Sequence, residues 1–402
     1  MTLATVQSSD ARSYRLTNID MMRGLVIVIM TLDHVRDYFM LSATLDPLGQ
    51  PDVGLGLYLT RWVTHFCAPV FVFLAGTSAG LMAVRKSKSA LGSFLVKRGL
   101  WLIFVEIFII STAITFAPFG LPQLNGNSLI LLQVIWAIGG SMVVLGGLQY
   151  FGPRFCLIVG LVILGSHNLL DGFWPVGSLM GGSDPRWYGL FSQSSSVMGP
   201  FQMVWAYPIV PWIGMMAFGF GTASLFTQDD ATQKAQLLRW GSLFIIAFLI
   251  LRALDVYGDA NGWKVQEIGL QATILDFMNV TKYPPSILFT FATLGPMAII
   301  CAYAGQWSGW IKDTLVMFGR VPFFFYIAHI YLIHSASVLY GMLQGFETKQ
   351  MLTVFFFYPK GFGTDLAGVY LVWIILLMIL YPACKWMAGV KARRKDWWLS
   401  YL

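Results

Sequence analysis

The chain has 402 residues, 57% of them hydrophobic and only 11% charged, with a formal net charge of +7 and a mean hydropathy of +0.67. A soluble protein of this length carries roughly a quarter charged residues, so composition excludes a water-soluble fold. The charge bears on topology through its distribution, and no nucleic-acid partner is expected. Apolar runs of about 20 residues, the length of helix that crosses ~30 Å of hydrocarbon, alternate with short polar connectors. In chain order they predict about ten transmembrane helices near 19–41, 58–84, 90–117, 128–149, 153–171, 203–227, 237–258, 283–304, 314–341 and 365–389. The fold class is therefore all-α, a polytopic helical bundle forming one domain over 1–402. The 15 Trp, 31 Phe and 16 Tyr suit a lipid-facing surface with interfacial belts. Residues 1–18 lack the apolar core of a signal peptide, so the first helix is expected to act as an uncleaved anchor.

Charge assigns the sides. Arg12 and Arg15 precede the first helix, and Arg85, Lys86 and Lys88 follow the second. Arg154 follows the fourth, Lys234 and Arg239 the sixth, Lys312 the eighth, and Lys391, Arg393, Arg394 and Lys395 the tenth. An even helix count places all of them on the cytoplasmic side, together with segments 1–18 and 390–402. The opposite connectors are acidic, as with Asp46 and Asp52, uncharged, as in 118–127, or balanced, as where Asp184 offsets Arg186. Arg61 is an exception. The longest outer connectors, 172–202 and 259–282, are where an extracytoplasmic cap or acceptor-binding surface is expected. Cys67, Cys156, Cys301 and Cys384 lie in apolar segments at spacings that match neither a disulfide framework nor a zinc motif. No metal is expected.

Ionisable side chains within spans are costly and face a bundle interior or a cavity. The first helix carries six: Asp20, Arg23, Asp33, His34, Arg36 and Asp37. At about 100° per residue Asp20, Arg23, His34 and Asp37 share one face, while Asp33 and Arg36 drift from it. Asp20 and Arg23 can also be read as an ion pair at the inner interface, with Asp33 to Asp37 in outer headgroups. Counting ~1.5 Å per residue from inner ends, His34, His329 and Arg252 lie ~22 Å deep and Glu106 ~24 Å. His65, ~10 Å from the outer end of its helix, falls in nearly the same plane. Each has a bland alternative: His65 as a hydrogen-bonded helix contact, Glu106 and Arg252 as a structural ion pair. His329 and His334 are about 140° apart, so they are not expected to face one cleft. At the inner ends Arg23, Lys97, Arg98 and Arg320 form a basic ring, suited either to a polyphosphate or simply to the positive-inside pattern.

The run Asn18-Ile19-Asp20-Met21-Met22-Arg23-Gly24, with His34 fourteen residues after Asp20, resembles the opening helix of the transmembrane acyltransferase superfamily. More closely, the chain is similar to the bacterial branch of the heparan-alpha-glucosaminide N-acetyltransferase catalytic-domain family. The supporting blocks are His65 to Gly76, Tyr207-Pro208-Ile209-Val210-Pro211-Trp212, Lys282-Tyr283-Pro284-Pro285-Ser286, Phe325-Tyr326-Ile327-Ala328-His329 and the tail Asp396 to Leu402. In the animal enzyme of that family the catalytic His follows the first helix. Residues 42–57 contain no His, which leaves His34 as the residue carried over from the sugar O-acyltransferase pattern.

The resemblance implies acetyl transfer from cytoplasmic acetyl-CoA to a hydroxyl or amine of an extracytoplasmic, sugar-containing acceptor, in a bacterial inner membrane. An oligomer is compatible with it. His34 is the expected general base or acyl-carrying nucleophile, with Asp37, or else Asp20, orienting its ring. His329 is the expected donor to the developing oxyanion, with His65 in the same layer. Arg23, Lys97, Arg98 and Arg320 are the expected grip on the donor's phosphates. The rival class is a transporter or channel for a small anionic or sugar-linked solute, which commonly shows paired, broken repeat segments; none is detectable.

Overall fold

The computed structural model describes residues 3–41, 47–50, 53–173, 185–394 and 396–401. Asp46, Asp52, Asp184 and Lys395, used above to assign sides, lie outside the described residues. Helices follow the apolar runs in order. They are α1 Leu3–Phe39, α2 Leu55–Val63, α3 Cys67–Ala83, α4 Lys88–Val105 and α5 Ser111–Thr115, then α6 Val134–Leu148, α7 Pro153–Ser166, α8 Ile209–Gly221, α9 Asp230–Leu254 and α10 Leu270–Met278. The chain continues through α11 Ile287–Tyr303, α12 Trp310–Arg320, α13 Pro322–Leu343, α14 Thr348–Met351 and α15 Leu366–Arg393. Short polar residues start several of them: Ser87, Asp229, Ser286 and Asp365 each accept a hydrogen bond from a first-turn backbone N–H.

Among the described residues, eight helices are long and apolar enough to cross a membrane. The protein is an all-α, multi-pass membrane protein. Two further predicted segments are also helical: α1, and the rod in which α4 and α5 join through a π-helical turn at Glu106–Ile110. Helix α1 runs through the middle of the bundle, packed on α12, α13, α15 and α3. That position is why its predicted span 19–41 can carry six ionisable side chains. Helices α9 and α15 turn Trp240, Ile246, Ile250, Ile374 and Met378 outward instead.

Helices α1, α12 and α15 meet toward one end of the bundle, where Lys391 Nζ donates to the Arg320 carbonyl at 3.2 Å and Arg320 faces Asp20 at 3.8 Å. The opposite end is capped. There the structure departs from the predicted bounds, because segments 128–149 and 203–227 begin as strands before α6 and α8. Strands β1 Ser128–Leu132, β2 Ser194–Met198 and β3 Phe201–Trp205 form a small sheet in the order β1-β3-β2, with β1 and β3 parallel and β2 and β3 antiparallel. Gly199, at φ 58°, makes the two-residue turn that joins β2 to β3. A short apolar run buried on both faces carries no period that separates strand from helix, so only the pairing partner decides it. Segment 314–341 is likewise two helices: Pro322 lacks an N–H and opens α13, leaving α12 as a separate piece.

Candidate active site

A cavity of about 420 Å³ opens beneath the cap. Helix α1 supplies Asp33, His34 and Asp37 to its wall, and the end of α2 supplies Arg61. His65 comes from the tight turn between α2 and α3, Gln133 and Val204 from the sheet region, and Lys282 and Tyr283 from the loop before α11. His34 and His65, assigned to one layer by depth, thus meet in one cavity. His329 lies directly behind His34.

The hydrogen bonds define the tautomers. His329 Nδ1 lies 3.1 Å from the Phe325 carbonyl oxygen. A carbonyl only accepts, so this nitrogen carries the proton and Nε2 is left as an acceptor. His34 Nδ1 lies 2.8 Å from that Nε2, and the rings stack at 5.0 Å with planes 13° apart. His34 therefore donates through Nδ1, and its Nε2 keeps an unprotonated lone pair. His65 is arranged similarly, with Nδ1 donating to the Arg61 carbonyl at 3.1 Å. His334 sits apart between the Ala113 and Met351 carbonyls, 2.8 and 3.1 Å away. As its rotation implied, it faces a different region from His329.

Three expectations are corrected here. Asp37 was expected to orient His34, but it pairs with Arg36, and His329 holds the ring instead. With both ring nitrogens engaged, His329 has no proton to offer an oxyanion. Asp33 and Arg36 were expected to leave the polar face. Asp33 lines the cavity, accepts 2.8 and 3.1 Å bonds from Arg61 Nη1 and faces Arg36 at 3.2 Å. Because α1 is enclosed by protein, more than one of its sides can hold charge. The four-membered Asp37–Arg36–Asp33–Arg61 network satisfies charges that could not persist singly.

Glu106 and Arg252 do not pair. Glu106, wholly buried, accepts from the Gln133 and Trp136 backbone N–H groups at 3.2 and 3.0 Å, which places its carboxylate at the N-terminus of α6. Arg252 donates to the carbonyls of Asn261, Asp276, Phe277 and Asn279 at 2.6–3.2 Å. It thereby ties the cap loop that presents Asn261, Asn279 and Lys282 to the cavity. Each satisfies backbone polar groups across a bend, work that a charge count along the chain does not reveal.

At the chain-end side, Arg23 bonds Asp20 at 2.9 Å and donates to Ser78 Oγ. Lys391 lies within electrostatic reach of Asp20, Arg23 and Arg98, and the Arg98 guanidinium covers the Phe323 ring at 5.3 Å. Arg23, Arg320 and Lys391 thus gather around one carboxylate, with Arg98 within reach of Lys391. Lys97 is exposed on another side of α4.

The model of the family described as heparan-alpha-glucosaminide N-acetyltransferase, catalytic, matches residues 15–257. The chain belongs to this family. Its activity class is accordingly membrane acetyl transfer. The matched region holds His34, His65 and the Asp33–Arg61 network, whereas Lys282 and Tyr283 reach the same cavity from beyond it and His329 backs His34. No curated protein matches the chain.

Residue-by-residue reasoning missed Arg61, Gln133, Tyr207, Lys282 and Tyr283 as cavity residues. Two signals were available. Arg61 violates the positive-inside pattern, and Tyr207, Lys282 and Tyr283 stand within the Pro-rich blocks that carried the family resemblance.

Proposed function

We propose that this protein moves an acetyl group from acetyl-CoA, taken up at the cytoplasmic chain-end side, to a hydroxyl or amine of a sugar-containing acceptor. The acceptor enters the capped cavity from the far side of a bacterial inner membrane. The observation that carries the reading is the relay Phe325 carbonyl–His329–His34, which leaves His34 Nε2 as a base on the cavity wall. As the acceptor oxygen or nitrogen attacks the acetyl carbon, Nε2 takes its proton. The C–S bond breaks and the proton passes to the departing thiolate, giving CoA–SH. Asp33 and Asp37 lie within electrostatic reach of the His34 ring. His65, with its own free nitrogen in the cavity, is placed to hydrogen-bond the acceptor.

Arg23, Arg98 and Arg320, with Lys97 at the edge, are assigned to the phosphates of the donor. Eleven residues separate Arg23 from His34 on α1, a rise of ~16 Å that a pantetheine arm can span. Arg98→Glu is expected to raise the KM for acetyl-CoA about 10-fold, with added salt mimicking the effect on the wild type, and Lys97→Glu less. An unchanged KM with altered insertion would make these residues topogenic only.

The direct test uses sealed vesicles of known orientation, acetyl-CoA on the cytoplasmic face and glucosamine on the other. Thiol release on the donor side and acetylated sugar on the opposite side are expected. Product on the donor side would overturn the cross-membrane route. Sugar movement without thiol release would replace the enzyme reading with the transporter one.

A further inference from the structure

With both nitrogens of His329 committed, the donor to the oxygen on which negative charge develops must come from another residue. A thioester carbonyl attacked beside His34 becomes an oxyanion in a dry site, where an aimed hydrogen bond matters most. Tyr326 lies one turn before His329 on α13, so the two share a face. Its ring meets His34 edge-on at 6.4 Å and His329 edge-on at 5.3 Å. The side chain is buried, and its hydroxyl is shielded from solvent with no hydrogen-bond partner among the described residues.

Neighbouring tyrosines differ. Tyr38 donates to the Ile114 carbonyl at 2.9 Å, and Tyr207 and Tyr283 bond each other at 3.2 Å. Tyr326 lies within electrostatic reach of all three and of Glu106, yet bonds none of them. Buried hydroxyls are ordinarily paired, and one left open beside the His34–His329 pair calls for an explanation.

We propose that the Tyr326 hydroxyl is the catalytic donor to the acetyl carbonyl oxygen. It stays protonated throughout and donates a hydrogen bond that shortens as the tetrahedral intermediate forms. His34 moves the acceptor proton, and the C–S bond breaks as set out above; the assignment rests on that reading. On this assignment the carbonyl oxygen supplies the partner that the Tyr326 hydroxyl does not find among the described residues.

The test is Tyr326→Phe in the full-length purified protein, which removes one oxygen and keeps the ring packing. Thiol release from acetyl-CoA with glucosamine as acceptor is followed beside thermal unfolding in the same detergent. Expected are a fall in kcat of about 10²–10³-fold, a KM for acetyl-CoA within about two-fold of wild type, and an unchanged unfolding midpoint, since no bond in the free protein is lost. An unaltered kcat in an active preparation would overturn the donor role and leave the proposed function standing. A fall in kcat accompanied by a lower midpoint would mark the hydroxyl as structural and also overturn it. Absence of thiol release by the wild type would overturn the acetyltransferase reading and this assignment together.

Discussion

Replacing His34 with Ala is expected to lower acetyl transfer about 10²–10⁴-fold while leaving the protein folded and inserted. The residue lines the cavity, and no group among the described residues bonds its Nε2, so its removal deletes the proposed base and strands little else. The one group it does strand is His329 Nε2, which loses a 2.8 Å donor. His34→Asn keeps polarity and most of the volume but cannot take a proton, and a similar loss is expected. His329→Ala should also reduce kcat strongly, although His34 remains. Without an acceptor at Nδ1, the His34 ring is free to rotate and to carry its proton on the wrong nitrogen. Turnover and unfolding midpoint, measured on the same purified variants, separate these effects from misfolding. Wild-type turnover by well-folded His34→Ala protein would end the assignment of His34 as base.

Gly24→Ala and Gly319→Ala are each expected to destabilise the protein by about 3 kcal/mol, the upper part of the overpacking range, because backbone cannot step aside. Helices α1 and α12 cross so closely that a Cβ at Gly24 would collide with the Leu315 carbonyl oxygen, and one at Gly319 with that of Asp20. The same crossing sets Arg320 against Asp20, so spreading it should weaken use of the donor as well. Gly147→Ala is the control, since a Cβ there meets open space on α6. Thermal unfolding in detergent reads the difference. Equal midpoints for Gly24→Ala, Gly319→Ala and Gly147→Ala would show that the α1–α12 contact relaxes without cost.

Sequence by itself determined the membrane class, the placement of most spans, the polar character of the first helix and the common depth of His34, His65 and His329. Span length, depth and rotation are properties of one helix at a time, read at a fixed rise and turn per residue. Whatever depends on two segments escaped that reading. The strands β1 and β3 pair across some 70 residues of chain, and without the partner their apolar runs look like the first turns of helices. Depth placed Glu106 and Arg252 in the same layer, but their partners are backbone groups at an α6 N-terminus and in a cap loop, which no side-chain count reveals. The identity of the group that orients His34 was decided only by tertiary structure. Proximity in sequence favoured Asp37, three residues away; packing of α13 on α1 brought His329 there instead, across 295 residues.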